Sequence, residues 1–169
     1  CKYIKPHMRM TMPMPQTRTD RPAIAAPRGC TNLKLKQASR LVARHYDAHV
    51  APTGLRHTQY SLLSYVVKLG PLRAGELATA MRLDASTLSR NLQPLVDKGL
   101  VSVQTGSDQR SRMVQATAAG VALRESAQKA WKRAQLALNA RLGAERVAAL
   151  HQLLDECLAL MDDEAGGDA

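Results

Sequence analysis

At 169 residues with 45% hydrophobic side chains, the chain is long enough for one domain with a sizeable core. It has no Phe and one Trp, so that core must be built from Leu, Val, Ala and Met, which favours helices. The formal net charge of +10 excludes an acidic binding module and points to a polyanionic partner. Half of that excess sits at the start: residues 1–30 hold six Lys or Arg and one acid, so charge alone is a weak argument for DNA. No apolar run reaches the eighteen or so residues a membrane span needs, and the N-terminal stretch has no apolar signal-like segment. Cys1, Cys30 and Cys157 are too scattered for a disulfide framework or a zinc site, and a cytoplasmic protein with reduced thiols is expected.

Residues 1–28 contain five of the eight prolines and no periodic apolar stripe, and are expected to be a disordered, basic, Pro-rich tail. Met8, Met10, Met12 and Met14 follow the opening Cys1, and the functional protein is expected to begin at one of them. An ordered domain is predicted over 29–162. Its first helix spans about 31–51, capped by Thr31 or Asn32, with Leu33, Ala38, Leu41, Val42, His45, Tyr46, His49 and Val50 as its stripe and Pro52 as its stop. A second helix covers about 57–68 and ends at Gly70-Pro71; a short third covers about 74–80. Asp84 then caps a helix in "LDASTLSRNLQPLVDKGLV". Its Leu88, Leu92, Leu95 and Val96 recur at helical spacing, while Ser86, Thr87, Ser89, Arg90 and Asn91 make the other face polar. Pro94 is expected to kink it locally, and Gly99 is placed to end it.

The period then changes. "LVSVQT" (100–105) and "SRMVQA" (111–116), with "GSDQR" between, predict a β-hairpin. Thr117 caps a long helix to about 141, Gly143 breaks it, and a last helix over 144–162 carries Val147, Leu150, Leu154, Cys157 and Met161 on a coiled-coil-like seam suited to a partner chain. An acidic tail, 163–169, should fray. The predicted fold class is therefore mainly α with a small β-hairpin wing: a winged helix-turn-helix (helix-turn-helix about 73–99, wing about 100–116) whose helices at about 31–51 and 117–162 form a dimerisation region.

This order has a physical use. A helix fits the B-DNA major groove, where Ser, Thr, Asn and Arg side chains hydrogen-bond base edges and phosphates. A hairpin tip carrying Arg110 and Arg112 can enter a minor groove, with Asp108 holding Arg110 through paired hydrogen bonds. Arg73 and Arg82 flank the motif as candidate phosphate contacts, whereas Lys98 reads as a solvated charge complementing the helix dipole. The candidate DNA-binding set is thus Arg73, Ser86, Thr87, Ser89, Arg90, Asn91, Asp108, Arg110 and Arg112.

Residues 31–162 resemble the MarR family of bacterial winged-helix regulators. The match rests on "DQRSRMVQATAAG" (Asp108, Arg110, Arg112, Thr117, Gly120), "STLSRNLQPLVDKGLV" and "YDAHVAPTGLRHTQYSLL". Ala116 departs from the pattern, standing where Leu is common. The resemblance implies a homodimeric transcription factor, in most cases a repressor, on a pseudo-palindromic operator of double-stranded DNA. It also implies a small aromatic or phenolic effector between the winged-helix lobe and the dimer helices, for which Tyr46, His49, Gln59, Tyr60 and Trp131 are candidate contacts, or else cysteine oxidation, with Cys30 beside the first helix as the redox candidate. His45 and His49 stand one turn apart, but no third ligand is near in sequence, so no metal and no cofactor are expected. No nucleophile elbow, phosphate loop or acidic metal cluster supports an enzyme. A winged-helix protein-interaction module is the rival reading, and it would predict a neutral wing rather than Arg110 and Arg112.

Overall fold

A computed structural model describes residues 28–105 and 112–165. The tail expected to be disordered therefore lies almost wholly outside the described residues, as does the hairpin tip with Asp108 and Arg110.

Helix α1 (Thr31–Val50) runs into a single 3₁₀ turn containing Pro52, and Gly54 reverses the chain at φ 79°. Its N-cap is Cys30, with no side-chain hydrogen bond, so neither Thr31 nor Asn32 caps it. α2 (His57–Leu69) buries Tyr60, Leu62, Leu63 and Val66. It is tied to α1 by Asp47, whose Oδ1 accepts from the His57 backbone N–H at 2.7 Å and ring Nδ1–H at 2.9 Å. Burial pushes the Asp47 carboxyl up, but the His57 hydrogen bonds and charge outweigh it and hold the group below its ordinary value.

β1 (Leu72–Arg73) precedes α3 (Ala74–Ala80), and α4 (Ala85–Asp97) follows. β2 (Val101–Thr105) and β3 (Arg112–Ala116) form the predicted hairpin, and β1 adds to its far edge in the order β1-β3-β2. All pairings are antiparallel: Val114 of β3 stands opposite Leu72 on one side and Val103 on the other. Val114 is wholly buried and packs with Val50, Leu62, Leu63, Val66, Leu77 and Leu95 in the centre of the core. The expected kink at Pro94 does not break α4, which runs without interruption from Ala85 to Asp97. Only one backbone donor is lost there, and buried Leu92 and Leu95 on either side hold the helix to the core.

α5 (Ala118–Leu142) lies against α1 and α2. Its contact face includes Ala127, Ala130 and Ala134, all buried, and these small side chains at helical spacing let three helices approach closely. Thr117 caps it, accepting from Gly120 N–H at 3.1 Å. Gly143 (φ 88°) separates it from α6 (Ala144–Ala165). The terminal helices leave apolar residues uncovered: Leu41 is 59% exposed, Leu136 68%, Leu160 69% and Met161 70%. On the expected α6 seam only Val147 is buried and Leu154 half-buried.

Candidate nucleic-acid interface

The turn from α3 to α4 is tight. Arg82 takes a left-handed φ of 51°, Arg82 N–H bonds to Thr79 O at 3.0 Å and Leu83 N–H to Ala78 O at 2.9 Å. The Arg82 side chain pairs with Asp162 of α6, so it meets a carboxylate rather than standing free for a phosphate. Asp84 opens α4. Its carboxylate accepts from Ser86 Oγ at 2.6 Å, Thr87 Oγ1 at 2.7 Å and Thr87 N–H at 2.8 Å. The Ser86 hydroxyl first, then the Thr87 hydroxyl and N–H, hold the Asp84 carboxyl well below the usual carboxylate range. Arg90 lies back on the same turn, its Nε donating to Ser86 O and its Nη2 to Thr87 Oγ1, both at 3.3 Å.

Leu88, Leu92 and Leu95 face the core, while Ser86, Ser89 and Arg90 are exposed and Asn91 is half-buried. The structure thus turns Ser86, Ser89 and Arg90 outward, while Thr87 and Asn91 are half-buried. Arg112 begins β3 and is exposed. It shares a depression of about 290 Å³ with Ser89, Gln93, Val96 and Val103, so wing and helix meet at one concave surface. Gln93 was not among the expected site residues, yet it lies one turn beyond Ser89 on the same face; the helical spacing was the available signal. Arg73 is the N-cap of α3, its N–H held by Glu76 Oε2 at 2.8 Å, with an exposed side chain. Lys98 is not simply solvated, since its Nζ donates to Gly54 O at 2.8 Å and ties the end of α4 to the turn before α2.

The candidate effector residues do not all converge. Tyr46 and Trp131 line a cavity of about 260 Å³ with Ser39, Val42, Ala43, His57 and Ser61. Their ring centroids are 6.4 Å apart, and Tyr60, 5% exposed, stacks on Trp131 at 6.3 Å from the core side. Burial pushes the Tyr46 hydroxyl pKa up, and that hydroxyl donates to Gln135 Oε1. His49 donates from Nδ1 to His45 O at 2.9 Å and is not in the cavity wall. Gln59 accepts from Arg56 N–H at 3.0 Å and faces a different depression. His57 enters the cavity instead, a placement with no signal in the spacing because the Asp47 tie, not a helix period, sets it. The His45 and His49 rings are 4.7 Å apart, and among the described residues no group of three His, Cys, Asp or Glu is placed to hold a metal. Cys30 and Cys157 are exposed free thiols. No helix among the described residues is long and apolar enough to cross a membrane.

A model of the MarR family matches residues 53–111, which run from the turn before α2 to the wing. The DNA complex of the Mycobacterium tuberculosis transcriptional regulator MosR is 30% identical, covering 76% of this chain and 98% of that one at a TM-score of 0.63. The chain belongs to the MarR family. The transcriptional repressor CouR, bound to a 23-mer DNA duplex, is 26% identical over 76% of this chain and 92% of that one, with a TM-score of 0.69. Apo MarR from E. coli, at 23% identity and a TM-score of 0.63, covers 78% of this chain and 99% of its own, and shows the shared fold. YwoH of Bacillus subtilis strain 168, an uncharacterized HTH-type transcriptional regulator, is 29% identical over 81 residues. That match takes in 48% of this chain and 59% of that relative's length. The M. tuberculosis and B. subtilis chains similar to this MarR-family chain are transcriptional regulators by name.

Proposed function

We propose that this chain is a sequence-specific regulator of transcription that binds double-stranded DNA as a homodimer. α4 carries the reading: its buried Leu stripe fixes the helix to the core while Ser86, Ser89 and Arg90 are exposed, and Ser89 shares a depression with Arg112 of the wing. The hydrogen bonds refine the roles. Ser86 spends its O–H on Asp84 and so offers only lone pairs outward; it suits a base amino group, adenine N6 or cytosine N4, rather than a phosphate. Arg90 and Arg112 keep N–H donors for phosphates or guanine, and Arg73, Ser89, Asn91 and Arg110 complete the footprint with Thr87 and Asp108 in supporting places.

The uncovered apolar residues of α1, α5 and α6 support a two-fold pair of copies, which sets two α4 helices about one helical turn apart on a pseudo-palindrome. The likeness to the transcriptional repressor CouR, bound to a DNA duplex, favours repression over activation. The cavity of Tyr46, Trp131 and His57 has room for a compound of about one aromatic ring, and a ligand there would lie between α1, α2 and α5. The test is selection of duplexes from a random library by the purified chain, read by sequencing. An enriched pseudo-palindrome with half-sites about one turn apart is expected; salt-sensitive binding with no enriched motif would refute sequence reading by α4.

A further inference from the structure

Beside the outward face of α4, a second depression of about 370 Å³ opens between α4 and the start of α2. Its walls are Arg56, Thr58 and Gln59 from one side and Arg90, Asn91 and Pro94 from the other. They bring two guanidinium groups, two amides and one hydroxyl, and no carboxylate. Asp47, the acid whose carboxyl feels the Arg56 charge, is already committed to His57 through two hydrogen bonds. Among the described residues neither Arg56 nor Arg90 forms an ion pair. The two walls are also held in register, because Lys98 bonds the end of α4 to Gly54, two residues before Arg56. A concave site with two positive charges, extra donors and no acid fits an anion with several acceptor oxygens.

Two sources could supply it: a small free anion or a DNA phosphodiester. Arg56 and Arg90 are both solvent-exposed, and an exposed pair of charges gains little from a lone anion that keeps its hydration and competes with salt. A phosphate carried by a duplex arrives with counterions to release, which makes the same contact favourable. Arg90 belongs both to this depression and to the outward face of α4, so DNA lying on that face brings a backbone phosphate alongside. We propose that Arg56 and Arg90 clamp one backbone phosphate flanking the bases read by α4, which makes the start of α2 part of the DNA footprint. This rests on the DNA-binding reading above.

The test uses the full chain, its selected duplex and a random duplex, and Arg56→Gln with Arg56→Lys as the charge-retaining control. Affinities are measured from 50 to 200 mM salt. Arg56→Gln is expected to lower the slope of log K against log salt by about 0.9 per copy bound, which makes its deficit about 3.5-fold larger at the low-salt end per copy. It should weaken both duplexes alike and leave their affinity ratio unchanged, while Arg56→Lys keeps most of the slope. An unchanged slope in Arg56→Gln, with the wild type still selecting its site, overturns the clamp and spares the regulator. A wild type that prefers no duplex overturns the regulator itself. Calorimetric titration with inorganic phosphate separates the sources: saturable binding lost in Arg56→Gln, alongside an unchanged duplex slope, would make this a free-anion site and overturn the clamp.

Discussion

Gly120 offers a test in which two physical effects have opposite signs. It sits in the first turn of α5, and replacing Gly by Ala in a helix ordinarily stabilises by up to about 1 kcal/mol. Here, however, a Cβ on Gly120 would stand 2.0 Å from Leu100 O. That oxygen belongs to the backbone and accepts from Thr117 N–H at 3.1 Å, so it cannot swing aside as a side chain would. Reaching ordinary contact requires a shift of about 1.4 Å, enough to lose that hydrogen bond, about 1 kcal/mol, on top of about 1–3 kcal/mol for overpacking. Clash therefore outweighs propensity, and Gly120→Ala is expected to destabilise by about 2 kcal/mol. For a domain of this size that lowers Tm by about 6–8 °C. The measurement is a thermal melt followed by circular dichroism at matched protein concentration, since pairing of copies makes Tm concentration-dependent. A Tm equal to or above wild type would show that the close approach is relieved at no cost and would refute the reasoning.

Arg112→Ala should weaken binding to the selected duplex about tenfold, a loss of about 1.4 kcal/mol, with the fold intact by circular dichroism; unchanged affinity in a gel-shift titration would remove β3 from the DNA footprint. Leu160→Asp, at a position 69% exposed in the single chain, should shift sedimentation from dimer toward monomer with little loss of helix; an unaltered dimer would place the partner elsewhere. The carboxyl of Asp84 lies below its unfolded value, so the stability it lends is complete above about pH 4 and drains away as pH falls further. Urea unfolding of wild type and Asp84→Ala should therefore differ by a constant amount from pH 5 to pH 8, converging below about pH 4; curves that stay equally far apart in acid would refute the hydrogen-bond account.

Three caps were legible because they are local chemistry: Asp84, Gly99 and Thr117 act within three or four residues of their own positions and do in the structure what their neighbours implied, whereas neither Thr31 nor Asn32 caps α1. The outward face of α4 was legible for a related reason, since a helical period records which side is buried. β1 was not, because two residues carry no period and Leu72–Arg73 is a strand only by virtue of pairing with Met113 and Val114, some forty positions away. Leu33 and Leu41 expose a further limit. Periodicity marked them as an apolar stripe, yet both are exposed in the single chain, because a pattern says that a face wants covering without saying which molecule covers it. The effector candidates divide along the same line: Tyr46 and Trp131 meet only because α1 and α5 pack together, while Gln59 and His49, equally plausible on a helical wheel, are turned to local hydrogen bonds.

The bond from Thr117 to the end of α4 also makes α5 a rigid pointer. Thr117 Oγ1 donates to Gly99 O at 2.7 Å and its N–H to Leu100 O, so the base of the wing and the start of α5 move as one piece. With 25 residues the helix is about 37 Å long, and its far end meets α6 among the uncovered apolar residues. Turning it by about 5° at that far end swings the wing base by about 3 Å, close to the spacing of one base pair along DNA. A disturbance too small to notice among the terminal helices thus becomes a misfit of a full step where β3 and α4 would meet their groove.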